Sequence, residues 1–486
     1  MTESFLALTY RACTEIVELT GDSSVLCSVC EEENLPGRTR CGSCLSPLQS
    51  ISGFSEAERQ ELAARIVQSK RKRKRIKIVS TIFALLLIAI LVTYNSLNIR
   101  LFKSEASSDV NSIYGPGDSA MFQRDFGRTG YVAVAGWTPR LEAQWTFETD
   151  APFLSSPAVV GKMLYASTGD SRIVALNADS GDLLWQKHTT GPIDSSPTVA
   201  GDLVYVGLRD RRILALDRNT GVSVWEFEAG GWVSSSSVVK DGFIYFGSGD
   251  GNIYALDANS AEVMWTYQTD DGIASSISID DDILTVGSRD RHIYVLDLKT
   301  GRHRAIFQTP SRVENAPVIA NGDVYVSTSS GTVRAFEVTA RELPFEKAVR
   351  RIWAQLWVWQ MAPTPPFPNS HRWISSYEGM ILGNMAIGDG RLYLPHSEGI
   401  LNAVDTETGK SLWKFDTGHD KLRSTPLIVG DTVLIGASNG ILYGLDSDTG
   451  YEKWRFPTGG EIRTAPVFAN DTLYLASGDG ILYAIK

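Results

Sequence analysis

A tryptophan recurs at a nearly constant interval from residue 145 to the C-terminus, and that interval limits what the chain can fold into. The position falls at 145, 185, 225, 265, 305, 373, 413 and 454, with spacings of 40, 40, 40, 40, 68, 40 and 41 residues. Residue 305 is Ala instead of Trp, and the 68-residue interval is one period with 28 residues added. Each period reads Ser-Ser-Pro-x-Val, an alternating stretch such as 203–207, a second such as 213–217, a Thr-Gly pair, and the Trp stretch. Period-two alternation broken by Gly, Asp and Asn predicts four short antiparallel strands per unit. A four-stranded unit of about 40 residues is a propeller blade. The Gly after Thr, as in Thr220-Gly221 and Thr408-Gly409, supplies the positive φ of the hairpin turn. The Trp is large enough to fill the wedge between blades, a packing role.

Counting then closes the ring. The small residue ten positions before each Trp occurs at Ala175, Ala215, Ala255, Val295, Ala335, Ala403, Gly444 and Ala484, and the last has no Trp after it. Conversely, Trp145 has no strands before it. Pairing the strand at 142–148 with three strands in 462–485 gives an all-β fold, an eight-bladed β-propeller over 131–486 with no open edge.

The 28 added residues fall within an insertion spanning 340–371. It holds Trp353, Trp357, Trp359 and Phe367 with Pro363, Pro365, Pro366 and Pro368, and Phe345, Val349, Ile352 and Leu356 fall at helical spacing. An amphipathic helix over 344–357 is expected, with Pro in its first turn. Its aromatic residues are candidate interface anchors. The other reading is that the helix folds down to cover its own blade. The turn between the third and fourth strands lies opposite the loops that join blades, so the insertion cannot line the inter-blade mouth.

Charge separates the two ends of the chain. Residues 1–104 carry 14 Lys/Arg against 10 Asp/Glu, and the remaining 382 carry 32 against 46, a net −14. An acidic propeller without a basic stripe speaks against nucleic acid as a partner. The basic residues cluster at Lys70–Lys77, seven positive charges in eight residues, directly before 22 uncharged residues at 78–99. That stretch is long enough to cross a bilayer, and the charge asymmetry places the N-terminus in the cytoplasm. Its late start and length argue against a cleaved signal peptide. A single-pass protein of the cell membrane with an extracytoplasmic propeller is expected. A basic helix occupies 55–77 behind the capping pattern Ser55-Glu-Ala-Glu58, and 100–130 are linker and lead-in.

All five cysteines lie in the first 44 residues. After an N-terminal segment (1–24), Cys27, Cys30, Cys41 and Cys44 form two C-x-x-C pairs within 25–50, among turn-forming residues. Such knuckles place four thiolates around a structural Zn²⁺, which stands in for a core this segment is too short to build. Cys13 is outside the pattern. The run from Cys27 to Leu48 resembles the short zinc ribbons at the N-termini of bacterial membrane and regulatory proteins. Asn34, Gly37 and Pro47-Leu48 match that pattern, whereas Glu31 and Leu45 stand where Gly is usual. The resemblance implies a small structural or protein-binding module.

The 40-residue unit resembles the quinoprotein (PQQ-type) propeller repeat, found in quinoprotein alcohol dehydrogenases and in the eight-bladed propeller of the bacterial outer-membrane-assembly machinery. Met121-Phe-Gln-Arg-Asp-Phe-Gly-Arg-Thr-Gly130 is similar to the lead-in peptide of that superfamily. The dehydrogenases place two adjacent cysteines beside the cofactor and carboxylate and amide ligands on calcium. Residues 105–486 contain no Cys, and no catalytic base or nucleophile motif stands out among Asp and Ser residues that turns account for. No enzymatic activity and no PQQ are expected. The expected role is a scaffold whose loops bind proteins or a cell-envelope polymer. The alternatives are a transmembrane sensor coupled to the zinc ribbon and a PQQ-dependent enzyme.

Overall fold

The structure, a computed structural model, describes residues 117–339, 346–363, 370–418 and 420–486, with short stretches before them at 17–18, 25–26, 33–34, 39–41, 57, 76–84, 86, 106–107, 110–112 and 115. The chain divides into two units, 1–101 and 102–486. In the first, Val25–Leu26 pairs antiparallel with both Val17–Glu18 and Glu33–Asn34. Residues 76–84 are helical, and among the described residues no helix is long and apolar enough to cross a membrane. The rest of the expected span at 78–99 lies outside the described residues.

The second unit is the expected ring of eight antiparallel blades, with strands a to d running from the axis outward. Blade 1 shows the plan in Ala158–Val160, Met163–Thr168, Arg172–Asn177 and Leu183–His188. Blade 8 is built from both ends of the unit: Val467–Ala469, Thr472–Ala476 and Ile481–Ile485 supply strands a to c, and Ala143–Glu148 supplies strand d. Trp145 pairs with Ala484 across that seam.

Register explains the spacing of ten. Each small residue is the cross-strand partner of its Trp, as in Ala175 with Trp185 and Ala215 with Trp225. A small partner on strand c leaves the indole free to lean over the next blade. There its Nε1 donates to a turn carbonyl 33 residues on: Trp185 to Arg218 at 2.9 Å and Trp225 to Ala258 at 2.9 Å. A Tyr hydroxyl from strand b of the same blade donates to the same carbonyl, as Tyr205 does to Ala258 at 3.1 Å. The indole stacks on the Gly of the next blade's Thr-Gly turn.

This contact accounts for the two irregular Trp positions. The Trp of one blade needs the c–d turn of the next. In blade 5 the insertion replaces that turn, and blade 4 carries Ala305 opposite the larger Val295. Blade 8 has no c–d turn because its strands c and d come from opposite ends. Trp454 before it packs instead over Gly444 and edge-on to Trp137, with ring centroids 6.3 Å apart.

Gly221 is held twice: φ is +71°, and a Cβ there would lie 2.5 Å from Trp185 Cε3. Ala261 occupies the equivalent turn of blade 3 at φ +61°, so the site accepts a methyl at a cost. Gly221→Ala should therefore lower stability by about 1–3 kcal/mol, read from the denaturant midpoint. Ala261→Gly should shift it the opposite way by less.

Candidate functional site

The innermost strand of each blade turns one edge toward the axis, where unpaired backbone groups need partners. The chain supplies them itself. Residues 117–130, with Ser112 before them, follow the end of the channel on the side of the a–b and c–d turns and bond to one equivalent position after another. The amides of Val159, Val199, Ile279, Ile319, Ile387 and Ile428 donate to the carbonyls of Ser119, Ala120, Phe126, Gly127, Thr129 and Gly130, at 2.7–2.8 Å. The amide of Val239 donates to Ser112 Oγ at 3.2 Å, and Arg124 donates to the carbonyl of Phe468 at 3.1 Å. All eight blades are thus tied to one strap.

At its centre Arg128 is fully buried. Its guanidinium donates to the carbonyls of Ile277 at 3.0 Å, Ser236 at 3.2 Å, Ser237 at 3.1 Å and Phe122. Burial pushes its pKa down to about 10, partly offset by Asp125, so it stays charged at neutral pH. The Asp125 carboxyl is itself shifted up by burial, against the hydrogen bonds from Thr129.

The other end of the channel opens among the loops that join blades. The Ser-Ser pairs are there, and not in turns as the sequence reading supposed. In the second position of three pairs, the backbone amide donates to the hydroxyl of the next blade: Ser156 to Ser196 at 3.1 Å, Ser196 to Ser236 at 3.0 Å, Ser236 to Ser276 at 2.9 Å. Ala465 closes back on Ser156 at 2.8 Å, and Ala316 donates to Asn384 Oδ1 at 2.6 Å. The first position bonds within its own blade, as Ser195 and Ser235 do with Gly207 and Gly247. Repetition of Ser-Ser every 40 residues was the available signal, since residues equivalent in a propeller converge on the axis.

Above the hydroxyls lies an axial cavity of about 190 Å³ with Phe122 in its lining. Its rim carries Asp194, Glu314, Arg423 and Arg463, one from each of four blades, and each has a partner on the same face. Arg209 bonds Asp194, Arg289 meets Glu314 at 2.8 Å, and Glu461 takes both Arg423 at 3.6 Å and Arg463 at 2.6 Å. These pairs are partly exposed and contribute little to stability. They leave the mouth polar but self-neutralised. Beside it, Asp194, Arg209, Trp232, Ser234 and Arg289 line a groove of about 320 Å³, with the Arg289 guanidinium 4.8 Å from the Trp232 ring centroid.

His396, just beyond strand b of blade 6, is buried with no hydrogen-bond partner at Nδ1. Burial holds its pKa below the ordinary histidine value. The unfolded chain therefore takes up that proton first, so its contribution to stability is full above the ordinary pKa and falls as pH drops through the depressed one. Between pH 7 and 5 wild type should lose stability relative to His396→Gln, by at most about 1.4 kcal/mol per pH unit. A pH series of denaturant midpoints checks the difference.

The expected interface residues are on the other face. The insertion leaves blade 5 between Thr332–Glu337 and His371–Ser376, so it lies on the strap side, opposite the mouth. Its helix is Glu346–Val358. Val349, Ile352, Trp353, Trp357 and Trp359 are 55%, 63%, 37%, 47% and 61% exposed. Trp353 Nε1 donates to the carbonyl of Pro363 at 2.9 Å. Phe367 is outside the described residues, as are Cys27, Cys30 and Cys44. Cys41 is buried. Among the described residues no group of His, Cys, Asp and Glu could hold a metal.

The profile of the outer membrane protein assembly factor BamB family, a PQQ-type repeat family, matches residues 137–278, 249–372 and 397–486. The chain belongs to this family. Among solved structures, BamB from Moraxella catarrhalis is similar at 19% identity and a TM-score of 0.58, over 71% of this chain and 97% of that one. A europium-containing methanol dehydrogenase is similar at 14% identity and 0.61, over 75% and 90%. The quinohemoprotein alcohol dehydrogenase of Comamonas testosteroni is similar at 16% and 0.59, over 76% and 80%. Likeness at these identities shows the fold. No curated protein matches the sequence. Membership of the BamB family covers the propeller alone.

Proposed function

We propose that the chain is a membrane-anchored, extracytoplasmic and non-enzymatic scaffold whose propeller mouth binds a protein or cell-envelope polymer. The observation that carries this reading is the state of the axis. One end of the channel is stopped by the chain's own strap, the other is lined by hydroxyls of which Ser156, Ser196, Ser236 and Ser276 accept from backbone amides of the neighbouring blade, and the rim charges are mutually neutralised. What remains is a wide polar platform with a groove at the half-buried Trp232, suited to a partner that spans several loops. The family's description as an assembly factor points the same way.

A quinone site fits these residues poorly. The axial cavity of about 190 Å³ is smaller than the roughly 300–1,000 Å³ of small-molecule sites, and no Cys lies in 105–486. Full-length protein should show no rise in melting temperature with PQQ plus Ca²⁺. A clear rise would favour the dehydrogenase alternative, since a ligand that binds only the folded state stabilises it. The scaffold reading is tested by placing a photo-crosslinking residue at Trp232 or at exposed Leu183 on the outer edge. Discrete adducts in cells should form at 232 alone, and equal labelling or none at either position would sink the mouth as the binding face.

In the N-terminal unit, Cys27, Cys30, Cys41 and Cys44 would hold a structural Zn²⁺. Two features support this: strands Val25–Leu26 and Glu33–Asn34 pair on either side of the first knuckle, and Cys41 is buried. A paired backbone ladder flanking the knuckle is what a zinc ribbon requires.

A further inference from the structure

We propose that the insertion helix Glu346–Val358 lies in the surface of an anionic lipid bilayer, holding the mouth of the propeller away from the membrane. The inference rests on the reading of 78–99 as a membrane anchor and adds an orientation to it.

The helix is amphipathic and its apolar side is open. At 100° per residue, Val349, Ile352, Trp353, Leu356 and Trp357 share one face, and Arg351 and Gln355, also exposed, share the other. Val349, Ile352 and Trp357 are about half exposed or more, and the apolar surface continues past the helix end through Val358, Trp359 and Met361, at 67%, 61% and 72%. Among the described residues, no side chain of the helix belongs to any of the eight core clusters. A helix formed to cover its own blade would show the reverse.

Two observations select a lipid surface as the occupant. The first is charge. Residues 344–363 carry three Lys/Arg and one Glu, a net +2, within a domain whose net charge is −14. A basic polar face opposite a Trp-rich apolar face is the composition of interfacial helices, because anionic headgroups meet the cations while indoles sit at the headgroup boundary. The second is where the chain leaves the propeller. Ser107 bonds Asp257 in the c–d turn of blade 3 at 2.6 Å through its amide, and the amide of Gly242 in the a–b turn donates to Val110 at 2.9 Å. The chain therefore departs from the face that carries the insertion. Only seven residues lie between Ile99 and Ser107, so the eight steps between them reach at most about 29 Å. Tethering at that range raises the local concentration of membrane, so a helix of modest intrinsic affinity stays docked.

The test uses full-length protein reconstituted in vesicles of phosphatidylcholine with brominated phosphatidylglycerol, reading quenching of tryptophan emission. All 12 Trp lie after residue 136 and none in 78–99, so the anchor itself is silent. Wild type should be quenched, and W353F/W357F/W359F should lose most of that quenching while keeping its melting temperature. R350E/R351E should weaken quenching several-fold at low salt. Equal quenching of wild type and the triple variant overturns the proposal, as does quenching that ignores lipid charge. Protection of these tryptophans by self-association without vesicles assigns the face to a second copy instead. Flotation after alkaline carbonate reports the anchor separately, so loss of flotation with quenching intact rejects the anchor and keeps the helix.

Discussion

A chain that stops after Gly480 should not form a ring at all. The missing strand, Ile481–Ile485, lies between Thr472–Ala476 and Ala143–Glu148 and is the only connection of Trp145's strand to a sheet. Its removal takes Leu482, Ala484 and Ile485 out of the core, all 1% exposed or less. Each large apolar side chain lost from a core costs about 2–5 kcal/mol, and the two together approach the roughly 5–15 kcal/mol that holds a domain folded. The truncation also opens two strand edges, which promotes association between chains. Near-UV circular dichroism should show no cooperative melting transition in the truncated protein. A transition at the wild-type temperature would mean that the ring closes elsewhere. A milder version, Ala484→Leu, forces a large side chain against Trp145 and should cost about 1–3 kcal/mol through overpacking.

That seam was legible in the sequence for a physical reason. A repeat whose Trp and small residue must face each other across two strands leaves an unmatched half at each end, and the halves complete one another. Trp145 with Ala484 needed no more than counting. The departure at Ala305 was visible as an irregularity, but its cause was not, and the different packing of Trp454 left no mark at all. Both depend on which turn the indole leans upon in the next blade, and that neighbour is named only by the register. Part of the strap, 121–130, was recognised as a lead-in by resemblance, yet its path around the axis leaves no periodicity in the sequence. Ser112, Ser119, Ala120, Arg124, Phe126, Gly127, Thr129 and Gly130 each answer a different blade. The Ser-Ser pairs were misread as turn residues because Ser serves turns and buried amide acceptors equally well. The insertion was placed on the correct side by strand order alone. The exposure of its apolar face required coordinates, since an amphipathic pattern is the same whether or not that face is buried.

The least legible residue carries the other large effect. Arg128→Met should lower stability by about 3–5 kcal/mol, the range for removing one partner from a buried ionic network. Met keeps most of the apolar stem, so the change isolates the guanidinium. The carbonyls of Phe122, Ser236 and Ile277 would lose the guanidinium as donor, that of Ser237 would keep only Thr198 Oγ1 at 2.9 Å, and the Asp125 carboxyl would lose the buried cation that favours its ionised form. Arg128→Lys should fall between, because an ammonium retains the charge but does not reach carbonyls of two blades and the strap from one planar group. Adding Asp125→Asn to Arg128→Met should recover part of the loss by removing an uncompensated carboxyl. Denaturant midpoints give these three comparisons. Hydrogen exchange gives the mechanism: the amides of Val199, Val239 and Ile279, bonded to the strap beside Arg128, should lose more protection in Arg128→Met than the amides of Tyr205 and Tyr245 in the sheets, which should lose only what the fall in global stability removes. If the strap amides stay as protected as the sheet amides, the strap is held by its backbone bonds alone and the guanidinium is a passenger.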